Sequence, residues 1–283
     1  MKKQFILIIS GIFLIILLFV FGRTTNNKKE IILSAKQSAP EKTFDIVQFI
    51  HLQKANLSPN QSIILSKLEN DITRGDIISQ QIKANEALAG FWKDSIKLFE
   101  PYAFYTSSAS KLDNSEKNLT FAARIFLDNL RGEKDEAKLN WETTEAIDLF
   151  ERALKLNPDN DELKIGLGSC YIYGKGRSGN PEETMKGIQQ LLSVVRKDSN
   201  NMVAQMMLGV GGLVSGQFDK SIERLNKVVI QQPQNAEAVA YLADAYAGKG
   251  DNVNAVKWYN ISKRLINNPH YTEEVDARIK KLK

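Results

Sequence analysis

The sequence predicts an all-α fold, a solenoid of about five stacked helix hairpins behind an N-terminal transmembrane helix. Three observations predict it. Residues 5–21 are an uncharged apolar run, matching residues recur along the body at a spacing of 34, and strand signals are absent. The recurrence matters most. A helix pair that cannot bury its apolar side alone has to stack on a copy of itself.

The N-terminal run, Phe5–Phe21 (FILIISGIFLIILLFVF), is interrupted only by Ser10 and Gly11. As a helix it would span roughly 26 Å, against about 30 Å of bilayer hydrocarbon. Gln4, Gly22 and the flanking lysines extend it. A cleaved signal peptide has a shorter apolar core and a small-x-small site. Here Phe21-Gly22-Arg23-Thr24 follows, so residues 1–22 are expected to remain as an anchor. Lys2 and Lys3 precede the run, and Arg23, Lys28 and Lys29 follow it, which nearly balances the positive-inside rule. The expected arrangement is a single pass through a cell inner membrane with a periplasmic body. A cytoplasmic body is the alternative. Residues 23–44 are polar, contain Pro40 and read as a flexible tether. Two short amphipathic stretches, Phe44–Leu52 and Pro59–Ile72, are expected to form a helical cap over residues 45–81.

The body, residues 82–269, divides into units 82–115, 116–160, 161–201, 202–235 and 236–269. The last two set the frame. Leu208-Gly209, Gly216, Ser221 and Leu225 are matched by Leu242-Ala243, Gly250, Ala255 and Tyr259, 34 residues on. The third unit carries Leu167-Gly168, Gly187-Ile188 and Leu191 with a seven-residue insertion. The second carries Ala122, Ala123, Phe126, Ala146 and Phe150 with an eleven-residue insertion, and the first carries Leu88-Ala89, Trp92 and Tyr105. The small residues mark close helix crossings. Gly216 and Gly250 are expected to turn the chain in left-handed backbone geometry, and Pro158 and Pro233 to stop the second helices. Residues 270–283 form an expected end helix, with Val275, Ile279 and Leu282 covering the last unit and Arg278, Lys280, Lys281 and Lys283 outward.

This pattern resembles the tetratricopeptide-repeat (TPR) family over residues 82–269, with Gly212 standing where an aromatic residue is usual. FWKDS (91–95) and NSEKNLTFAA (114–123) are similar to stretches of membrane-anchored bacterial TPR proteins of uncharacterised type. The resemblance implies a right-handed solenoid whose first helices line a concave face that binds a protein or peptide. The groove positions would be Glu162, Ile165, Ser169, Ile172 and Tyr173, then Val203, Met206, Val210, Leu213 and Val214, then Glu237, Ala240, Asp244, Ala247 and Gly248. Such a groove is apolar in the middle and acidic at one rim, which suits an amphipathic helix or an extended peptide. The alternative occupant is the chain's own segment 45–81 or a twin subunit in a homo-oligomer.

Other chemistry is thinly supplied. Lys+Arg 38 and Asp+Glu 33 give +5 with both signs interspersed, so the cationic stripe of a nucleic-acid binder is absent. His51 and His270 lack neighbours at metal spacing. The single Cys170 lies in a predicted helix and reads as a buried small residue. Gly174–Gly179 (GKGRSG) matches G-x-G-x-x-G, but a helix precedes it where a dinucleotide site needs a strand, so it reads as an interhelix loop with Lys175 and Arg177 exposed. Trp141, in the charged insertion 131–141, is either an exposed contact anchor or packed back on its hairpin. No cofactor, metal or catalytic group is expected. The expected function is a membrane-anchored scaffold or adaptor. The alternatives are an envelope assembly factor, as in TPR subunits that present apocytochromes c for haem attachment, a homo-oligomeric scaffold, or an enzyme with a hidden site.

Overall fold

The computed structural model describes residues 43–74 and 77–282. The apolar run Phe5–Phe21 and the tether to residue 42 lie outside them. Among the described residues every regular element is helical, and no helix is long and apolar enough to cross a membrane.

Two helices, α1 (Ile46–Lys54) and α2 (Pro59–Arg74), precede five hairpins. The first hairpin is α3 (Ile78–Gly90), prolonged by a π-helical turn at Phe91–Ile96, and α4 (Phe99–Asp113). The second is α5 (Glu116–Leu130) with α6 (Glu136–Leu156). The third is α7 (Asp161–Cys170), prolonged by a π-helical turn at Tyr171–Gly176, with α8 (Pro181–Lys197). The fourth is α9 (Met202–Val214) with α10 (Phe218–Gln231), and the fifth α11 (Ala236–Lys249) with α12 (Asn252–Ile266). The end helix α13 (Pro269–Leu282) follows.

The chain starts its helices by a repeated device. Asn160, Asn201 and Asn235 stand just before α7, α9 and α11, and each side-chain oxygen accepts a backbone N–H from the first turn. That satisfies an otherwise orphaned donor, a stabilisation of about 1 kcal/mol each. Gly216 (φ 70°) and Gly250 (φ 83°) make the tight turns inside the fourth and fifth hairpins, a region where a Cβ is costly. The second helices α6 and α10 end at Leu156 and Gln231, just ahead of Pro158 and Pro233.

Helices meet where the small residues lie. The Ser221 hydroxyl donates to the Gly209 carbonyl at 2.7 Å, across the α9–α10 crossing. Gly168 and Gly187 face each other across α7–α8, so that a Cβ on Gly187 would stand 2.7 Å from the Gly168 carbonyl oxygen. Between the crossings, Phe126, Leu149, Phe150, Leu163, Leu191 and Val194 form one continuous buried cluster through the second to fourth hairpins. Full burial of each such side chain is worth about 1.5–3 kcal/mol.

The two ends are closed differently. Ile50 of α1 and Leu65 of α2 pack with Leu88, Trp92 and Tyr105 of the first hairpin. Trp141 packs inward: it stands edge-on to Phe126 (centroids 5.4 Å) and against Phe44 (5.1 Å), fastening the start of the cap to the second hairpin. At the other end Val275 and Ile279 of α13 are buried with Ala255 and Tyr259, and Arg278 pairs with Asp244 and Glu274. Several polar side chains stay inside, one of them a carboxyl with an unpartnered oxygen. Glu142 of α6 is fully buried. Its Oε1 accepts from Asn129 at 2.9 Å, while Oε2 has no partner. Burial pushes its carboxyl up to about 8 despite that hydrogen bond.

Candidate functional site: two chambers on the first-helix face

α5 is amphipathic in a simple way. Leu119, Ala122, Ala123, Phe126 and Leu130 are buried at helical spacing. Arg124, Leu127, Asp128 and Arg131, on the other side, line a chamber of about 420 Å³. α7 and its π-helical turn supply Glu162, Ile165, Ser169 and Tyr173, and α9 supplies Val203, Met206 and Met207. The lining therefore comes chiefly from three successive first helices, with Phe150 added from α6, and is mainly apolar. Arg124 and Glu162 pair at 2.8 Å, both exposed, so the pair adds little to stability. The Ser169 hydroxyl donates to Ile165 O at 2.8 Å, in its own helix, so it adds no free donor to the wall.

A second chamber of about 390 Å³ lies beside the first and shares Arg131 and Tyr173 with it. Its other walls are Arg177, Val210, Leu213 and Val214, with Tyr241 and Asp244 from α11. Asp244 is already engaged. It accepts from the Tyr259 hydroxyl at 2.5 Å and from Arg278 Nη1 at 2.8 Å.

Between the chambers four side chains meet. The Arg131 guanidinium lies 5.1 Å over the Tyr173 ring and donates to its hydroxyl at 3.1 Å. Arg131 also forms an ion pair with Glu237. The Tyr173 and Tyr241 hydroxyls share a hydrogen bond at 3.3 Å. Burial pushes the Tyr241 phenol above its ordinary range, so it is a neutral hydrogen-bonding group at physiological pH.

Of the residues anticipated from sequence, Glu162, Ile165, Ser169, Val203 and Met206 line the first chamber, Val210, Leu213, Val214 and Asp244 the second, and Tyr173 both, while Glu237, Ala240, Ala247 and Gly248 line neither. Ile172 is a correction. It is fully buried and points at α9, where a Cβ on Gly211 would stand 3.1 Å from its Cδ1. The physical reason is the π-helical turn Tyr171–Gly176, whose i→i+5 bonding adds a residue to the turn and rotates Ile172 off the groove face. The α5 residues, Arg177 and Tyr241 were not anticipated. For α5 the signal was present, since Arg124, Asp128 and Arg131 lie at helical spacing opposite its buried stripe. None of helices α1 and α2 lines either chamber. Their buried residues face the first hairpin instead.

The G-x-G-x-x-G match has a packing origin. A Cβ on Gly174 would stand 2.1 Å from Thr143 Oγ1, and one on Gly176 would stand 2.9 Å from Val214 Cγ1. These two glycines let helices touch, while Gly179 (φ 75°) turns the chain with open space around it. Arg177 is exposed as expected, and it also donates to Leu130 O at 2.8 Å and Glu133 O at 3.1 Å. Cys170 is completely buried, and burial pushes its thiol far up, away from the thiolate a nucleophile needs.

Comparison with known proteins bears on this region. The curated relatives include the BBSome complex member BBS4 of Bos taurus, 28% identical over 163 residues, and that of Mus musculus, 32% identical over 101 residues. These alignments cover 58% and 36% of this chain but only 27% and 18% of those proteins. Similar solved structures include MamA (19% identity, 66% of this chain and 92% of that one, TM-score 0.45). They also include YrrB, described as a TPR protein with an unusual peptide-binding site (18% identity, 71% and 98%, TM-score 0.44). A third is the type IV pilus biogenesis factor PilW (18% identity, 71% and 92%, TM-score 0.45). The tetratricopeptide-repeat model matches residues 206–268. This stretch runs from within α9 to just past α12 and belongs to the tetratricopeptide-repeat family.

Proposed function

We propose that the chain is a scaffold or adaptor that binds a protein or peptide along the face formed by α5, α7, α9 and α11, as a right-handed solenoid held at a membrane by residues 1–22. The observation that carries the reading is the lining of the two chambers. Leu127, Ile165, Val203 and Met206 on one side and Val210, Leu213 and Val214 on the other offer apolar walls at a surface, where burial by a ligand side chain is favourable at about 25 cal/mol per Å². Charged groups sit at the rim, at Arg124 and Glu162, the usual arrangement of a recognition surface. The face offers no converging acid, base and nucleophile, so binding describes it better than catalysis. The relatives named above are members of a protein complex, which agrees with a role in assembly. The membrane tether and a periplasmic body belong to the same proposal and rest on Phe5–Phe21.

The test is affinity capture from membranes with the full-length chain and two groove variants, Met206→Asp and Leu213→Asp. The reading expects each to lose the heteromeric partner while its helical circular dichroism stays at the parent's level. Undiminished capture by both variants contradicts it. A crosslinking pattern of self-association alone would favour a homo-oligomeric scaffold.

A further inference from the structure

The contact between Arg131 and Glu237 joins the second hairpin to the fifth, across 106 positions of sequence. It passes over the third and fourth hairpins, whose first helices form the wall beneath it. Tyr173 and Tyr241 run in parallel with it and hold the third hairpin to the fifth. We propose that these four side chains are a clasp, which closes the first-helix face between its two chambers and whose opening sets whether that face is one continuous groove or two separate recesses. The proposal rests on the binding reading for its consequence only: a ligand running the length of the face passes when the clasp is open.

Three features support a device and not a chance surface contact. The first is that both anchoring segments are held. Arg177 ties down the carbonyls of Leu130 and Glu133 on either side of Arg131, and Glu237 sits in the first turn of α11, fixed by the Asn235 cap. The second is that the close approach of the hairpins is built into α9. Gly211 leaves room there for Ile172 of the third hairpin, whose Cδ1 would stand 3.1 Å from a Cβ at that position. A side chain at Gly211 would push the third hairpin outward and carry Tyr173 away from Tyr241. The third is that the Arg131 and Glu237 side chains remain about two-fifths exposed (43% and 38%). A pair so placed is modest in strength and responsive to its surroundings, as a contact that must open requires.

The experiment is a distance measurement by pulsed electron paramagnetic resonance on the full-length chain. Spin labels go on Glu136→Cys and Gln234→Cys, which flank the clasp at exposed positions, and the buried Cys170 stays unlabelled. The parent should give one narrow distance population. Arg131→Gln and Glu237→Gln should each add a longer, broader population, and the charge-swapped pair Arg131→Glu with Glu237→Arg should return it to the narrow one. Distances unchanged in both single variants overturn the clasp, as does a swapped pair that behaves like the singles. Circular dichroism on each variant separates opening from unfolding, and Glu237→Gln carries the test if Arg131→Gln does not fold. Unchanged distances alongside lost capture in Met206→Asp would remove the clasp and leave the binding reading standing. Opened distances alongside undiminished capture in the groove variants would do the reverse.

Discussion

The last four hairpins of the five are of two kinds. The fourth and fifth, α9–α10 and α11–α12, follow the 34-residue repeat and reverse direction at a single glycine, Gly216 or Gly250. The second and third, α5–α6 and α7–α8, carry insertions, and their inserted residues go to two uses. In the second, residues from Glu136 lengthen α6 at its start and place Trp141 on Phe126 and Phe44. In the third, a π-helical turn and the segment 177–180 put Tyr173 and Arg177 beside Arg131. The regular fourth hairpin thus provides much of the apolar wall, and the lengthened ones provide Arg131 and Tyr173, half of the polar bridge. The repeat builds the surface, and the departures from it divide that surface.

The difference can be broken at the helix crossings. Gly187→Ala in the third hairpin sets a Cβ 2.7 Å from both the Gly168 carbonyl oxygen and Tyr171 Cβ, and backbone cannot yield. We expect a loss of about 3 kcal/mol in denaturant unfolding. Gly209→Ala, on the first helix of the fourth hairpin's crossing, meets Cγ of the buried Leu225 at 2.6 Å, a side chain that can shift where backbone cannot, and it gains helix propensity. A loss under about 1 kcal/mol should result. Equal losses would mean that the two crossings are packed alike.

Glu142 gives the next effect. Its carboxyl keeps its proton up to about pH 8 in the fold, against 4.5 for the ordinary side chain. Between those values the folded chain holds a proton that the unfolded chain has lost. Stability therefore falls as pH rises through this window, and the fall is complete above the folded value. Glu142→Gln should flatten the profile and exceed the parent by about 2 kcal/mol at a pH of about 9. Thermal melts of the two chains across that range check it, and parallel profiles would rule out Glu142 as the source.

Arg177→Ala removes two hydrogen bonds to backbone carbonyls and should cost about 1 kcal/mol. Hydrogen exchange should rise locally around residues 131–135. Smallest is Arg124→Ala, whose exposed pair with Glu162 should be worth under about 0.5 kcal/mol in the same unfolding measurement.

The helices were legible in the sequence because their signals are local. Gly216 and Gly250 turn, and Pro158 and Pro233 stop, each within a few residues of the element it governs. The apolar wall was legible for the same reason, since Val203, Met206 and Leu213 follow from position within one helix. Ile172 misled because a π-helical turn changes the period in mid-helix, and the apolar pattern YIY reads the same at either period. The meeting of Arg131 with Glu237 and Tyr241 has no local signature. It depends on how closely successive hairpins approach, and that is decided by glycines such as Gly211 on a different helix from either partner.

The central claim is that the first-helix face, and not the outer face, is where a partner sits. Site-specific photocrosslinking from Val203, which is exposed and lines the first chamber, should trap another protein in cells making the full-length chain. The same crosslinker at Ile230, exposed on α10, should not. A product from Ile230 with none from Val203 would contradict the account.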